Sequence, residues 1–324
     1  MNEKIKSSVD IPSAFFNELY TIAKNDQNVM LLSADQGAWA LEKFKENLDG
    51  QFYNLGVSEQ HLISVSAGLS LTEKKVFVYA ITPFVMQRCL EQIKVDLCLS
   101  NIPVTIIGSG STLSYSFHGP THQAMDDIAI MRSLPNMTIL NPCDEISAKA
   151  AVQLAYTNQG PTYVKMDKGF YPVLYTKQTR FADGIFQLKG GNNLCIIATG
   201  IMTQKAILLA EKLSCISIDA SIIDIYKIKP LNKELLLNKL KNVKGIVTIE
   251  EQTIIGGIGS AVCEVLSDYG INIPILRFGI NDEYCELYGD RDWLHKYYGL
   301  DIVTLSKKIE RWLKVNKLLI QNRT

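Results

Sequence analysis

Glu59 is the first side chain of this chain that asks for a chemical explanation. The stretch Tyr53–Leu71 opens with a short apolar and aromatic run and turns at Gly56. It then spaces Leu62, Ile63, Val65, Ser66 and Leu69 as a helix does, with Ser64, Ala67, Gly68 and Ser70 keeping the surface small. A carboxylate on the first turn of so apolar a helix is predicted to be buried. It either caps the free N–H groups of that turn, where the helix dipole favours an acid, or it is an acid held for chemistry.

The loop Leu113–Gln123, LSYSFHGPTHQ, places two of the four histidines, His118 and His122, four residues apart around Gly119-Pro120. It follows the predicted strand Pro103–Gly108, at the edge of an open parallel sheet where ligands gather. Two histidines at that spacing bind zinc from a helix, and Gly-Pro between them forbids one. Imidazoles positioned for substrate oxygens or proton transfer fit the loop better. Arg88 and Lys165 are candidate cations for a substrate phosphate or carboxylate, and each is equally a surface partner for a nearby acid. Gly108-Ser109-Gly110 and Gly256-Gly257-Ile258-Gly259 suggest a dinucleotide fingerprint. The second lacks the leading βαβ unit and the following acid, so close packing of a helix start on a sheet is the plainer reading.

These residues must be positioned by an alternation of strand and helix. Strands are predicted at 29–32, 51–55, 75–81, 103–108, 137–140 and 162–166. Helices are predicted at 13–25, from Glu59, through Gln87, Glu91 and Lys94, and at 128–134 and 146–156. That rhythm argues a mainly parallel sheet sandwiched by helices. Residues 169–192, rich in Gly, Pro, charge and scattered aromatics, read as a linker. A smaller alternation then resumes, with strands at 194–199, 216–225, 245–250 and 274–278, helices between them, and C-terminal helices at 291–298 and 301–317. The chain is therefore expected to form two consecutive three-layer α/β domains, residues 1–178 and 179–324.

Composition narrows the partners. Thirty-three basic residues balance thirty-three acidic ones, leaving no basic surplus for nucleic acid or an anionic membrane. The N-terminus lacks the apolar core of a signal peptide, and no run of about eighteen apolar residues occurs. Seven cysteines lie far apart with no Cys-x-x-Cys pair, which reads as reduced thiols in a cytoplasmic protein rather than disulfides or zinc ligands.

Several segments, in order, resemble thiamine-diphosphate enzymes of the transketolase type and deoxyxylulose-phosphate synthases. Asn54-Leu55-Gly56-Val57-Ser58-Glu59-Gln60 resembles the segment that carries the cofactor-activating glutamate. His118-Gly119-Pro120-Thr121-His122-Gln123, with Asp126-Asp127 and Asn141-Pro142 downstream, resembles the Gly-Pro-Thr-His-Gln region. Ser33-Ala34-Asp35, Thr82–Gln92, Thr162–Lys168 and the glycines after Glu250-Glu251 extend the resemblance over nearly the whole chain.

The resemblance implies a thiamine-diphosphate pyrimidine-binding domain followed by a smaller transketolase C-terminal-like domain. It implies that Glu59 hydrogen-bonds a ring nitrogen of the aminopyrimidine, that Phe84 (or Val85, one residue on) stacks on it with Tyr53 nearby, and that Asp35 also contacts the cofactor. His122, with His118, Arg88, Lys165 and Ser33, would face the substrate. The Gly-Asp-Gly motif and later Asn that hold magnesium and the diphosphate are absent from the sequence. An N-terminal transketolase-like partner subunit is expected to carry them, two copies of each chain forming a heterotetramer that acts on a sugar or sugar phosphate. Transketolases usually place Asp where His118 stands, so a specialised acceptor is expected. Rival readings are a decarboxylating ligase of the deoxyxylulose-phosphate synthase type, the beta subunit of a 2-oxoacid dehydrogenase, and a non-catalytic assembly subunit.

Overall fold

The computed structural model describes residues 9–37, 39–110 and 112–318. Its strands are β1 Val29–Ser33, β2 Phe52–Asn54, β3 Lys75–Ile81, β4 Val104–Ser109, β5 Thr138–Leu140, β6 Thr162–Met166, β7 Ile185–Lys189, β8 Leu194–Ala198, β9 Ala220–Ile225, β10 Lys227–Lys229, β11 Gly245–Thr253 and β12 Ile275–Ile280. They form two sheets, ordered β10-β5-β6-β4-β3-β1-β2 and β12-β11-β8-β9-β7. Pairing is parallel except where β10 meets β5 and β7 meets β9. No helix among the described residues is long and apolar enough to cross a membrane.

The central strands of the first sheet are apolar on both faces, and period-two alternation sends successive residues to opposite layers. Val29, Leu31, Phe77, Tyr79 and Ile107 pack in a core under the helices Ile11–Ala23 and Glu145–Thr157. Met30, Leu32, Val76, Val78 and Ile106 point the other way, against Leu62 and Ile63 of the helix Glu59–Ser70. This second core continues without interruption into Cys195, Ile197, Ile223 and Ile246 of the second sheet. A further cluster covers the opposite face of that sheet.

Four features depart from the sequence reading. The proposed linker holds a strand, β7, at the edge of the second sheet. Just beyond β9, β10 crosses back and pairs with β5 of the first sheet, so the sheets exchange a strand across the expected boundary. The long helix expected through Gln87 and Lys94 is broken into Thr82–Met86, Leu90–Gln92 and a π-helical turn Ile93–Leu99. A helix Trp39–Asn47 also stands where none was expected.

A buried ionic knot joins the two halves. Arg291 donates to both oxygens of Glu251 at 2.6 Å and to both oxygens of Asp167 at 2.9 and 2.5 Å. Glu251 lies on β11, and Asp167 follows β6. Burial alone raises the Glu251 carboxyl, but Arg291 and His295 outweigh it and hold it well below the ordinary carboxylate range. The knot fixes the turn that carries Lys168.

Candidate active site

The C-terminal ends of the parallel strands bring most candidate residues to one edge. Leu55 N–H donates to Ser33 O at 2.9 Å, which leads the chain from β2 past the end of β1. Gly56 then turns at a positive φ of 73°, a conformation glycine adopts without steric cost. Glu59 opens the next helix and is only 3% exposed. Its carboxylate does not cap: among the described residues no first-turn amide donates to it. Instead Oε2 accepts from Arg88 Nη1 at 2.6 Å.

Arg88 reaches Glu59 from the turn after the helix Thr82–Met86. Thr82 anchors that helix on β4, donating to Ser109 O at 3.0 Å and Gly110 O at 3.1 Å. Gly108 permits the approach, since a Cβ there would meet Thr82 Oγ1 at 2.8 Å. Phe84 stands half-buried at the site while Val85 is sunk in the core, so the aromatic face offered is that of Phe84. The Arg88 guanidinium carbon lies 4.7 Å from the centre of the Phe84 ring, within cation–π range.

The rings continue outward. Phe84 meets His122 edge to face at 5.1 Å, His122 meets His118 at 5.3 Å, and Tyr115 touches both imidazoles. Lys168 Nζ sits 3.7 Å above the Tyr115 ring. The two histidines are set by turns, His118 N–H on Tyr115 O and His122 N–H on Gly119 O. Thr121 Oγ1 lies 3.0 Å from His122 Nδ1. Burial, helped by the neighbouring His118, pushes His122 below the usual histidine pKa. Both effects favour the neutral imidazole over the charged one.

The other candidates are placed differently. Lys165, expected at the substrate, lies inside the molecule: its ammonium donates to Asp127 Oδ1 at 2.7 Å and Thr112 Oγ1 at 3.0 Å, and Tyr163 OH donates to Asp127 Oδ2 at 2.7 Å. It is the partner of an acid, but a buried one and not the surface pair expected, because a lysine on a strand buried on both faces needs a counter-charge. The cation at the rim is Lys168, three residues on, which sequence reasoning missed. Ser33 is buried and donates to Gln36 O at 2.9 Å. Asp35, at a positive φ of 53°, is exposed and bonded to Asn54 at 2.9 and 3.1 Å. Tyr53 is 48% exposed on the edge strand, and no aromatic ring of the described residues packs against it.

The assembled site is a buried carboxylate beside an aromatic face, followed by two imidazoles and flanked by Arg88 and Lys168. A carboxylate so placed can take an N–H from a flat heterocycle lying on Phe84. The imidazoles can hydrogen-bond or exchange protons with oxygens, and the cations suit an anionic substituent. Behind the histidine loop, a cleft of about 430 Å³ between the two halves is lined by Gln87, Pro120, Gln123, Asp126, Ile255 and Tyr284.

The chain matches known proteins over most of its length. Residues 7–173 match the family described as the transketolase pyrimidine binding domain, and residues 185–304 match the transketolase C-terminal domain. A 6-deoxy-6-sulfo-D-fructose transketolase subunit of Clostridium sp. (strain MSTE9) is 30% identical over 87% of this chain and 88% of its own length. An apulose-4-phosphate transketolase subunit of Actinobacillus succinogenes is 31% identical over 86% of this chain and 90% of its own. Among solved structures, a split-gene transketolase described as an inactive beta4 tetramer superposes with a TM-score of 0.85 at 31% identity. That match covers 95% of this chain and 99% of the other.

Proposed function

The chain belongs to the transketolase family, and on that premise we propose that it is the pyrimidine-binding and C-terminal subunit of a heteromeric, thiamine-diphosphate-dependent enzyme. Its reaction is the transfer of a two-carbon ketol unit from a ketose donor to an aldehyde or oxo-sugar acceptor. The observation that carries this reading is Glu59, buried at a helix start beside Phe84. A carboxylate and an aromatic face are the two groups needed to hold an aminopyrimidine by its edge and its plane.

The residues present fit one half of the cofactor. Glu59 would donate a hydrogen bond to a ring nitrogen of the pyrimidine and Phe84 would stack on the ring. Among the described residues no three His, Cys, Asp or Glu side chains stand close enough to hold a metal ion, and the sequence contains no Gly-Asp-Gly. The diphosphate and Mg2+ are therefore assigned to an N-terminal partner subunit carrying Gly-Asp-Gly and a later Asn. Two copies of each chain form a heterotetramer, whereas the split-gene relative is described as a beta4 tetramer that is inactive. Thiamine diphosphate supplies the nucleophilic carbon and the electron sink. This chain orients the pyrimidine through Glu59, and His122, neutral, donates to the substrate carbonyl oxygen or takes a hydroxyl proton.

The substrate is an anionic sugar. Lys168 and the two histidines line one rim with Arg88 behind them on Phe84, and the relatives above are named for a sulfonated and a phosphorylated sugar. His118, where Asp is usual, donates to the acceptor in place of receiving its hydroxyl, which points to a specialised acceptor. The free cysteines suit work in the cytoplasm.

Titration of thiamine diphosphate with Mg2+ into this chain alone and into its mixture with the partner tests the division of labour. Tight binding is expected only in the mixture. Tight binding and turnover by this chain alone would contradict it.

A further inference from the structure

Arg88 is held by two groups at once. Its Nη1 donates to Glu59 Oε2 at 2.6 Å, and its guanidinium lies over the Phe84 ring at 4.7 Å. These are the carboxylate and the aromatic face assigned above to the aminopyrimidine. A guanidinium and an aminopyrimidine are both flat, delocalised planes that stack on a ring and hydrogen-bond a carboxyl group through an edge, the first as donor and the second through a ring nitrogen as acceptor. Both cannot lie on the same face of Phe84 and bond the same Glu59 oxygen.

We propose that Arg88 competes with the aminopyrimidine for Glu59 and Phe84, so that docking of the cofactor turns its guanidinium out toward the rim formed by His118, His122 and Lys168. The inference rests on the function proposed above. The movement is open to the side chain, which is 46% exposed while Glu59 is buried. Departure of Arg88 leaves no charge stranded, because Glu59 takes up a proton from solvent and donates it to the pyrimidine ring nitrogen. The released guanidinium adds a cation to the rim that meets an anionic sugar. Cofactor and sugar then bind with positive coupling, each favouring the other by the same factor.

Two measurements on the complex of this chain with its partner test the competition. In the first, thiamine diphosphate is titrated with Mg2+ into the wild-type, Arg88→Met and Arg88→Gln complexes. Removing the competitor is expected to tighten binding about tenfold, the scale of one charge-assisted hydrogen bond. A residue with a merely structural role would weaken binding or leave it alone. In the second, wild-type complex is treated with phenylglyoxal and the labelled arginines are mapped by mass spectrometry. Labelling of Arg88 is expected to rise when thiamine diphosphate is added. Unchanged or weaker cofactor affinity in both variants, or labelling that stays level or falls, overturns the proposal. If that happens while Glu59→Gln still abolishes turnover, the function stands without this inference. A fully active Glu59→Gln complex removes the function, and the competition with it.

Discussion

His122 works beside a second imidazole, and that neighbour helps decide when it carries charge. Burial lowers its pKa first, and the positive form of His118 lowers it further. Replacing His118 with Asn removes the like charge but not the burial, so the His122 pKa should rise. In the reconstituted complex the acidic limb of the kcat/KM profile should shift to higher pH in His118→Asn. A limb that stays in place, or moves to lower pH, would deny the coupling. The burial of Glu59 and the meeting of His118 and His122 at one loop were readable because their unusual surroundings are local: an acid in an apolar helix start, two histidines around Gly-Pro. The fates of the two cations were not. Arg88 finds Glu59 across 29 residues and Lys165 finds Asp127 across 38, pairings that sequence spacing does not encode. Lys165 did leave one signal, its place in the apolar run Tyr163–Met166, which argued for a buried partner. Nothing in the sequence around Lys168 announced that it would stand over Tyr115.

Elements of the second sheet surround another buried acid. Asp224, on β9, is fully buried and accepts from Thr203 Oγ1 at 2.8 Å and from the Tyr175 hydroxyl. Burial pushes its carboxyl up to about 7, against the hydrogen bonds from Tyr175 and Thr203 that lower it. The folded pKa therefore lies above the unfolded one. The folded protein keeps a proton that the unfolded chain loses above about pH 4, so stability falls as pH rises from there through about 7. Asp224→Asn keeps an acceptor without the charge, and its melting temperature should decline less than wild type between pH 5 and 8. An equal decline in both proteins would place the pH dependence elsewhere. The central strands of both sheets were legible because they are long and apolar. The missed strands are edges: β7 and β10 have five and three residues and lie among Gly, Pro and charged positions, where edge pairing rather than periodicity makes a strand.

At the scale of the molecule, the two halves are not independent. They share one apolar core, exchange β10, and are tied by Arg291 between Asp167 and Glu251. The expectation of two α/β layers was legible in the alternation of elements, but this sharing was not, since it depends on contacts between distant segments. The rigidity it confers fixes the strand-end edge on which Glu59, Phe84 and the histidines stand, and that edge meets solvent. Val57 and Phe117, the apolar residues preceding Glu59 and His118, are exposed, as expected of a surface that a second polypeptide covers.

The central claim is that Glu59 activates a cofactor delivered by that polypeptide. The most direct measurement is the turnover number of the Glu59→Gln complex, with assembly checked by light scattering. Loss of activity by at least about a hundredfold, the scale of a removed acid–base group, with the partner still bound is the predicted result. An assembled Glu59→Gln complex turning over at close to the wild-type rate would contradict it.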